Sequence, residues 1–213
     1  MNTTAPAAPI RLYHHALSGH VHRVELFLTL LDLPFEKVPV DVFKRETRSA
    51  AFLARNPFGQ LPVIDDGELT LADSNAILVY LAKRYDPSGR WLPEDPAGAA
   101  KVQRWLSVAA NQLANGPATA RVSALVGRPC DDAILKQSKV LFELMDSQLA
   151  AQPFIAAATP TIADLALYAY TAHAPEGAIS LEPYPNVRAW LARVEALPRF
   201  VGMQRSPVPA SAA

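Results

Sequence analysis

A proline at position 62, at the entry of an apolar run that otherwise reads as a strand, restricts this chain more than any other single residue. The stretch around it, Asn56 to Ser74, reads NPFGQLPVIDDGELTLADS. Asn56-Pro57 and Gly59 mark a turn, Val63 and Ile64 a short strand, Asp66-Gly67 a tight hairpin turn, and Leu69 and Leu71 the alternation of a second strand. Pro62 has no N–H to give a sheet ladder, so it belongs at a strand start, an edge or a bulge. The backbone beside it is left for something other than a strand partner. Asp73-Ser74 then opens a helix over 74–85. Ser74 there offers a hydroxyl and exposed N–H groups to a carboxylate, and Asp73 or Ser74 serves equally as the N-cap.

Elements of alternating type lie on either side. Ile10 to Tyr13 reads as a strand and is followed by the polar loop HHALSGH; Val21, Val24, Phe27, Leu28 and Leu31 then fall on one face of a helix ended by Leu33-Pro34. Phe35 to Val40 is a second strand, joined to the first by a right-handed parallel crossover. A short helix is expected near Ser49 to Ala54, and the helix after Ser74 places Ala76, Ile77, Tyr80 and Leu81 on its buried face. The order is βαβαββα over residues 10–85.

Residues 86–96, DPSGRWLPEDP, read as a linker that Trp91 and Leu92 pack down. No convincing strand follows. Ala97 to about Leu125 reads as one long helix disturbed at Gly116-Pro117, where the proline removes a backbone donor. Asp131 and Asp132 start a helix whose face carries Leu141, Leu144, Met145 and Leu149, and Thr161-Ile162-Ala163-Asp164 forms a capping box, which makes Asp164 a structural cap. Pro185 and Pro198 suit the first turns of two final helices, the first burying Val187, Trp190, Leu191 and Val194. The expected architecture is an α/β domain at 10–85 and an all-helical domain at 97–213, with 1–9 a loose tail and the closing SPVPASAA mobile.

Composition excludes several classes. Twenty basic and twenty acidic residues among 213 balance, so the total carries no electrostatic footprint for nucleic acid or an anionic membrane. Cys130 is the single cysteine, which excludes an internal disulfide and a cysteine-based metal cluster. No run approaches the apolar length of a membrane span, and residues 1–9 lack the pattern of a signal peptide, so a cytoplasmic location is expected.

NPFGQLPVI, followed about ten residues later by ADSNAI, resembles the glutathione-binding core of the cytosolic glutathione transferases, a superfamily built on a thioredoxin-like fold with an all-helical second domain. The resemblance is to bacterial members with a serine-type, theta- or zeta-like active site. It implies a cis bond before Pro62, with Leu61 offering its backbone to the cysteinyl part of glutathione, and Asp73 and Ser74 holding the γ-glutamyl end. Asp73 stands where Glu or Gln is more usual, which shortens one contact arm and keeps its charge. Aligned on SGHVHRVEL, Ser18 resembles the serine that hydrogen-bonds the glutathione sulfur; it is equally an N-cap. A cysteine-like thiol has a reference pKa of about 8.5, so a hydroxyl donor and a helix N-terminus that favour the anion would activate it.

The same resemblance assigns the glycyl carboxylate to Arg48, with Lys44 as the alternative, and puts His20 near the thiol, where it can tune the site. Tyr13 is the rival to Ser18, since other classes use a tyrosine near the end of this strand. His14, His15, His20 and His22 have no acidic or thiol partner clustered with them in sequence, so no metal site is expected. The electrophile pocket is expected from Ala16, Leu17, Asn111, Gly116 and Arg121, with Tyr170 and His173 as further candidates. The implied activity is transfer of glutathione to small hydrophobic electrophiles, in a homodimer, with glutathione as cosubstrate and no tightly bound cofactor. Two alternatives stay open: a glutathione-dependent disulfide or peroxide reductase, and a non-catalytic ligand-binding or interaction protein of the same fold. Zeta-type isomerisation is a lesser option, because Ser18-Gly19-His20 stands where that class has Ser-Ser-Cys.

Overall fold

The computed structural model describes residues 5–207; most of the closing SPVPASAA and the first four residues of the N-terminal tail lie outside that range. Four strands, β1 (Ile10–His14), β2 (Phe35–Pro39), β3 (Val63–Asp66) and β4 (Leu69–Ala72), form one sheet in the order β2-β1-β3-β4. β1 pairs in parallel with β2 and antiparallel with β3, and β3 with β4 antiparallel. Helices α1 (Gly19–Leu30), α2 (Ala50–Leu53) and α3 (Ser74–Tyr85) complete the thioredoxin-like βαβαββα unit. The hairpin turn sits one residue later than the sequence suggests: Asp66 pairs with Leu69, so Gly67 and Glu68 make the turn, with Gly67 at φ +59°.

The rest is helical. One continuous run holds α4 (Pro96–Val108), a π-helical segment (Ala109–Ala118) with Pro117 inside it, and α5 (Thr119–Leu125); α6 (Asp132–Ala151), α7 (Ile162–Ala172) and α8 (Pro185–Glu195) follow. The expected disturbance at Gly116-Pro117 is thus this wider coil, which bonds each residue to the fifth rather than the fourth along. The linker is pinned: Trp91 is buried edge-on against Phe27, and its carbonyl accepts from the Ile162 N–H at 2.9 Å.

α7 is the axis of the core. Every residue from Ile162 to Thr171 is buried, as befits a helix apolar on all sides. Its start is held by Asp164, which is 0% exposed. One carboxylate oxygen accepts from the Thr161 N–H and hydroxyl, the other from the Ile155 N–H and the Trp190 indole at 2.8 and 2.9 Å. The capping box is therefore also the staple joining α7, α8 and the preceding loop.

Three expectations need correction. No helix follows Pro198 among the described residues: Leu197 and Phe200 close single turns, and Arg199 takes φ +66°, outside the right-handed helical region. The chain instead runs on across α1 and buries Met203. Leu144 is 62% exposed, while Leu141, Met145 and Leu149 are buried. On α3, Ala76 is exposed and Tyr80 only half-buried; Leu78 joins Ile77 and Leu81 inside.

Asp164→Ala leaves two backbone N–H groups and an indole N–H buried without an acceptor. Urea titration is expected to show a loss of about 3 kcal/mol or more, or failure to fold.

Candidate active site

A cavity of about 920 Å³ opens between the sheet end of the first unit and the α4–α5 run, with Tyr170 of α7 at its floor. Ser18, Leu61, Pro62, Asp73, Ser74, His20 and Leu17 all line it. The Leu61–Pro62 bond is cis. The turn before it is set by Asn56, whose side chain donates to the Gln60 carbonyl at 2.8 Å and accepts from the Phe58 N–H at 3.1 Å, and by Gly59 at φ +61°. A Cβ at Gly59 would lie 2.8 Å from the Thr47 carbonyl.

Two helices start at this cavity. Ser18 caps α1: its Oγ accepts from the Val21 N–H at 3.3 Å, which leaves its own proton free to donate. Gly19 is required beside it, since a Cβ there would sit 2.8 Å from the Tyr170 ring. The Tyr170 hydroxyl faces the Gly19 and His20 N–H groups, and burial raises its pKa, so it keeps its proton. Asp73 caps α3 from φ +72°, using one oxygen, Oδ1, for the Asn75 and Ala76 N–H groups.

The residue that sequence reasoning missed is Arg23. On the second turn of α1 it is 1% exposed, yet it lines the cavity. Its Nη1 donates to Ser74 Oγ at 3.1 Å and Asn75 Oδ1 at 2.8 Å, while Nε and Nη2 have no partner among the described residues. Burial pushes its pKa down to about 10, against the nearby Tyr170 and Asp73, so it remains charged at neutral pH. A buried, uncompensated guanidinium at the start of α3 gives that helix end a positive field that favours an anion in the cavity. A signal did exist: Arg23 interrupts a span with Val21, Val24, Leu26, Phe27 and Leu28 on all sides.

Several expected residues lie elsewhere. Tyr13 is buried, donates to Asp65 Oδ2 at 2.9 Å and is outside the cavity lining, so it does not rival Ser18. Arg48 donates to the Phe58 carbonyl at 3.3 Å and Lys44 pairs with Asp41; neither lines the cavity, whereas Arg55 does. Asn111, Gly116 and Arg121 are not in the wall. Asn111 bonds Asn115, Gly116 packs against Ser138, and Arg121 is buried on Glu176 with His173. The three are spaced five apart, which no single face of an α-helix holds, and the π segment shifts the phase of the residues after it. Ala110, Ala114, Val122, Leu125 and Val126 form that wall instead.

The histidines do not converge on a metal. His14 pairs with Glu25 at 3.1 Å, His22 donates from Nε2 to the Val201 carbonyl at 2.8 Å, and His20 lies edge-on to Tyr170 with Nδ1 3.5 Å from Ser74 Oγ. Burial, with Arg23 adding to it, pushes His20 down to about 3, and burial pushes His22 to about 4, so both are neutral near pH 7. Among the described residues no group of three or more His, Cys, Asp or Glu could hold an ion, and no helix is long and apolar enough to cross a membrane.

Comparison with known proteins agrees with this geometry. The models for the glutathione S-transferase N-terminal and C-terminal domains match residues 8–83 and 125–198. Glutathione S-transferase 3 of Zea mays is 34% identical over 206 residues, which cover 91% of this chain and 92% of that one. A solved glutathione S-transferase from Pseudomonas fluorescens superposes with a TM-score of 0.87 at 35% identity, over 92% of this chain and 99% of that one. A glutathione transferase homolog from Drosophila mojavensis, solved with bound glutathione, gives 0.80 at 26% identity over 89% of each chain. The chain belongs to the glutathione S-transferase family.

Lowered histidine pKa values carry a sign for stability. Unfolded imidazoles titrate near 6.5, so between about pH 6.5 and 4 the unfolded chain binds protons that folded His20 and His22 refuse, and stability falls as pH falls. Glu25 is held down to about 2, where bonds from His14 and Lys37 outweigh burial, so its contribution is lost only below about 4.5. His22→Gln keeps a donor for Val201. Its unfolding free energy, from denaturant titration, is expected to vary less between pH 6.5 and 5, by up to about 1.4 kcal/mol per pH unit.

Proposed function

We propose that the chain is a serine-type glutathione transferase, in which Ser18 stabilises the thiolate of bound glutathione and the cavity directs it at a small hydrophobic electrophile. One observation carries this reading: two helix starts border a single cavity whose other wall is apolar, and the buried Arg23 guanidinium, with two unpartnered nitrogens, lies directly behind them. The γ-glutamyl carboxylate takes the Ser74 hydroxyl and the N-terminus of α3, with the Arg23 charge behind Ser74 to balance it, and the Oδ2 of Asp73 is left for the amine. Leu61 offers its backbone to the cysteinyl unit, and Arg55, rather than Arg48, stands nearest the glycyl end. With the ends fixed, the sulfur reaches the Ser18 hydroxyl at the start of α1.

There the chemistry is a matter of pKa. Ser18 donates a hydrogen bond to the sulfur while the Val21 N–H holds its oxygen, so the donor is pre-aimed. Each unit by which the thiol pKa falls gives about tenfold more thiolate while the thiol form dominates. His20, held neutral, stands beside Ser74 and tunes that end without adding charge. The electrophile lies against Phe43, Val122, Leu125 and Val126, which are exposed apolar side chains, with His15 edge-on to Phe43 as the polar group beside them. Cys130, before α6, is outside the lining, so a mixed disulfide on a protein thiol has no residue to form it. The relatives' family makes a cytosolic homodimer the expected form.

The thiol pKa of bound glutathione, read from ultraviolet thiolate absorbance between pH 5 and 9, tests the reading. Wild type is expected to lower it by a unit or more and Ser18→Ala to lose most of that shift; binding without a shift would favour a binding protein over a transferase. Arg23→Met is expected to weaken glutathione about tenfold or more while leaving the unliganded protein at least as stable, because it removes an unpaired buried charge. Unchanged affinity would remove Arg23 from the site.

A further inference from the structure

Arg121, on α5 one residue before the apolar wall, turns its side chain inward, and the side chain is 1% exposed. Its three nitrogens go to three separate segments. Nη1 donates to the Leu17 carbonyl at 2.7 Å, Nε to Glu176 Oε2 at 2.6 Å, and Nη2 to Ser206 Oγ at 3.4 Å. The other Glu176 oxygen accepts from the Ser206 N–H at 3.0 Å and meets His173 Nδ1 at 2.6 Å. Burial alone would raise the Glu176 carboxyl, but these bonds hold it below its usual value. Burial lowers His173, and Arg121 and Arg205 nearby add to this against the pull of Glu176. Gly177 completes the fit, since a Cβ there would lie 2.6 Å from the Arg121 backbone nitrogen.

The Leu17 carbonyl belongs to the same rigid peptide plane as the Ser18 N–H. That N–H donates to the His15 carbonyl at 3.0 Å, so the plane is clamped at both ends: Arg121 holds its oxygen and the loop holds its nitrogen. With the plane fixed, Ser18 at φ −90° has its Cα–Cβ bond aimed, and the hydrogen bond from the Val21 N–H holds the hydroxyl on it. The C-terminal segment backs the clamp, with Ser206 on Glu176 and Arg121, Met203 buried, and the Val201 carbonyl on His22 of α1. A buried ion pair is weak evidence for stability, and packed apolar side chains would fill the same space at less cost. What the guanidinium supplies is a rigid fork that addresses three acceptors at once, which an ammonium cannot do.

We infer that Arg121, with Glu176 and the segment Val201–Ser206, is a positioning device for Ser18: it sets the serine hydroxyl for the thiol without touching the substrate. The inference rests on the serine-type reading proposed above. Arg121→Lys keeps a cation for Glu176 and removes the fork, and truncation after Met203 removes both Ser206 bonds while leaving Arg121 and the Val201 and Met203 contacts in place.

The test is the thiol pKa of bound glutathione in wild type, Ser18→Ala, Arg121→Lys and the truncated chain, with glutathione affinity measured alongside. Arg121→Lys is expected to raise that pKa by about half a unit to one unit, a three- to tenfold loss of thiolate near neutral pH, and to shift the pH–kcat profile upward. Affinity is expected to change less than twofold, because the γ-glutamyl end is held elsewhere; the truncated chain follows in the same direction with a smaller shift. A merely structural role would lower thermal stability and leave the thiol pKa in place. Folded variants whose bound thiol matches wild type would overturn the inference while the Ser18 reading stands, and the truncated chain decides if Arg121→Lys does not fold. If wild type itself produces no shift, both fall, and the Ser18→Ala arm shows it.

Discussion

A guanidinium buried without a carboxylate is an expensive thing to keep in a protein interior, and much of this site is arranged around that of Arg23. Its contacts are a hydroxyl and an amide oxygen, from Ser74 and Asn75, and neither neutralises charge. Asn75 also donates to the Leu106 carbonyl at 3.0 Å, which links the cation to α4. Removing a charge from water costs several kcal/mol unless an anion meets it. On the proposed reading that anion arrives with the substrate, so the cost is carried by the empty enzyme and recovered on binding.

The fold holds this arrangement from below. α1 can lie close to α7 because Gly19 has no side chain in front of Tyr170, and α7 is fixed in turn by the Asp164 carboxylate and its four donors. The last described residues run back across α1 rather than away from it, with Val201 on His22 and Ser206 on Glu176. The serine loop is thereby built from one end of the sequence and braced from the other.

Much of the fold was legible because its signals are local. Turn residues around Gly59 and Gly67, the helix start at Asp73-Ser74 and the Thr161–Asp164 box each declare themselves within a few positions, and the residues so read do line the cavity or cap the helices. Arg23 was passed over, although apolar residues surround it in the sequence, because a charged residue in an amphipathic helix is ordinarily counted as surface. Nor was the pocket wall. Asn111, Gly116 and Arg121 lie five residues apart, a spacing that no single face of an α-helix holds, and the π segment around Pro117 shifts the phase of the residues after it. Leu144 failed in the opposite sense: periodicity places it inside, and no other element covers it.

An experimental structure of the complex with an S-alkyl glutathione would test the central claim most directly, since it places both ends of the ligand at once. The account predicts the γ-glutamyl carboxylate within hydrogen-bond distance, about 3 Å, of the Ser74 hydroxyl that Arg23 holds, and the sulfur directed at the Ser18 hydroxyl. A carboxylate held away from Ser74, or a sulfur turned away from Ser18, would contradict it.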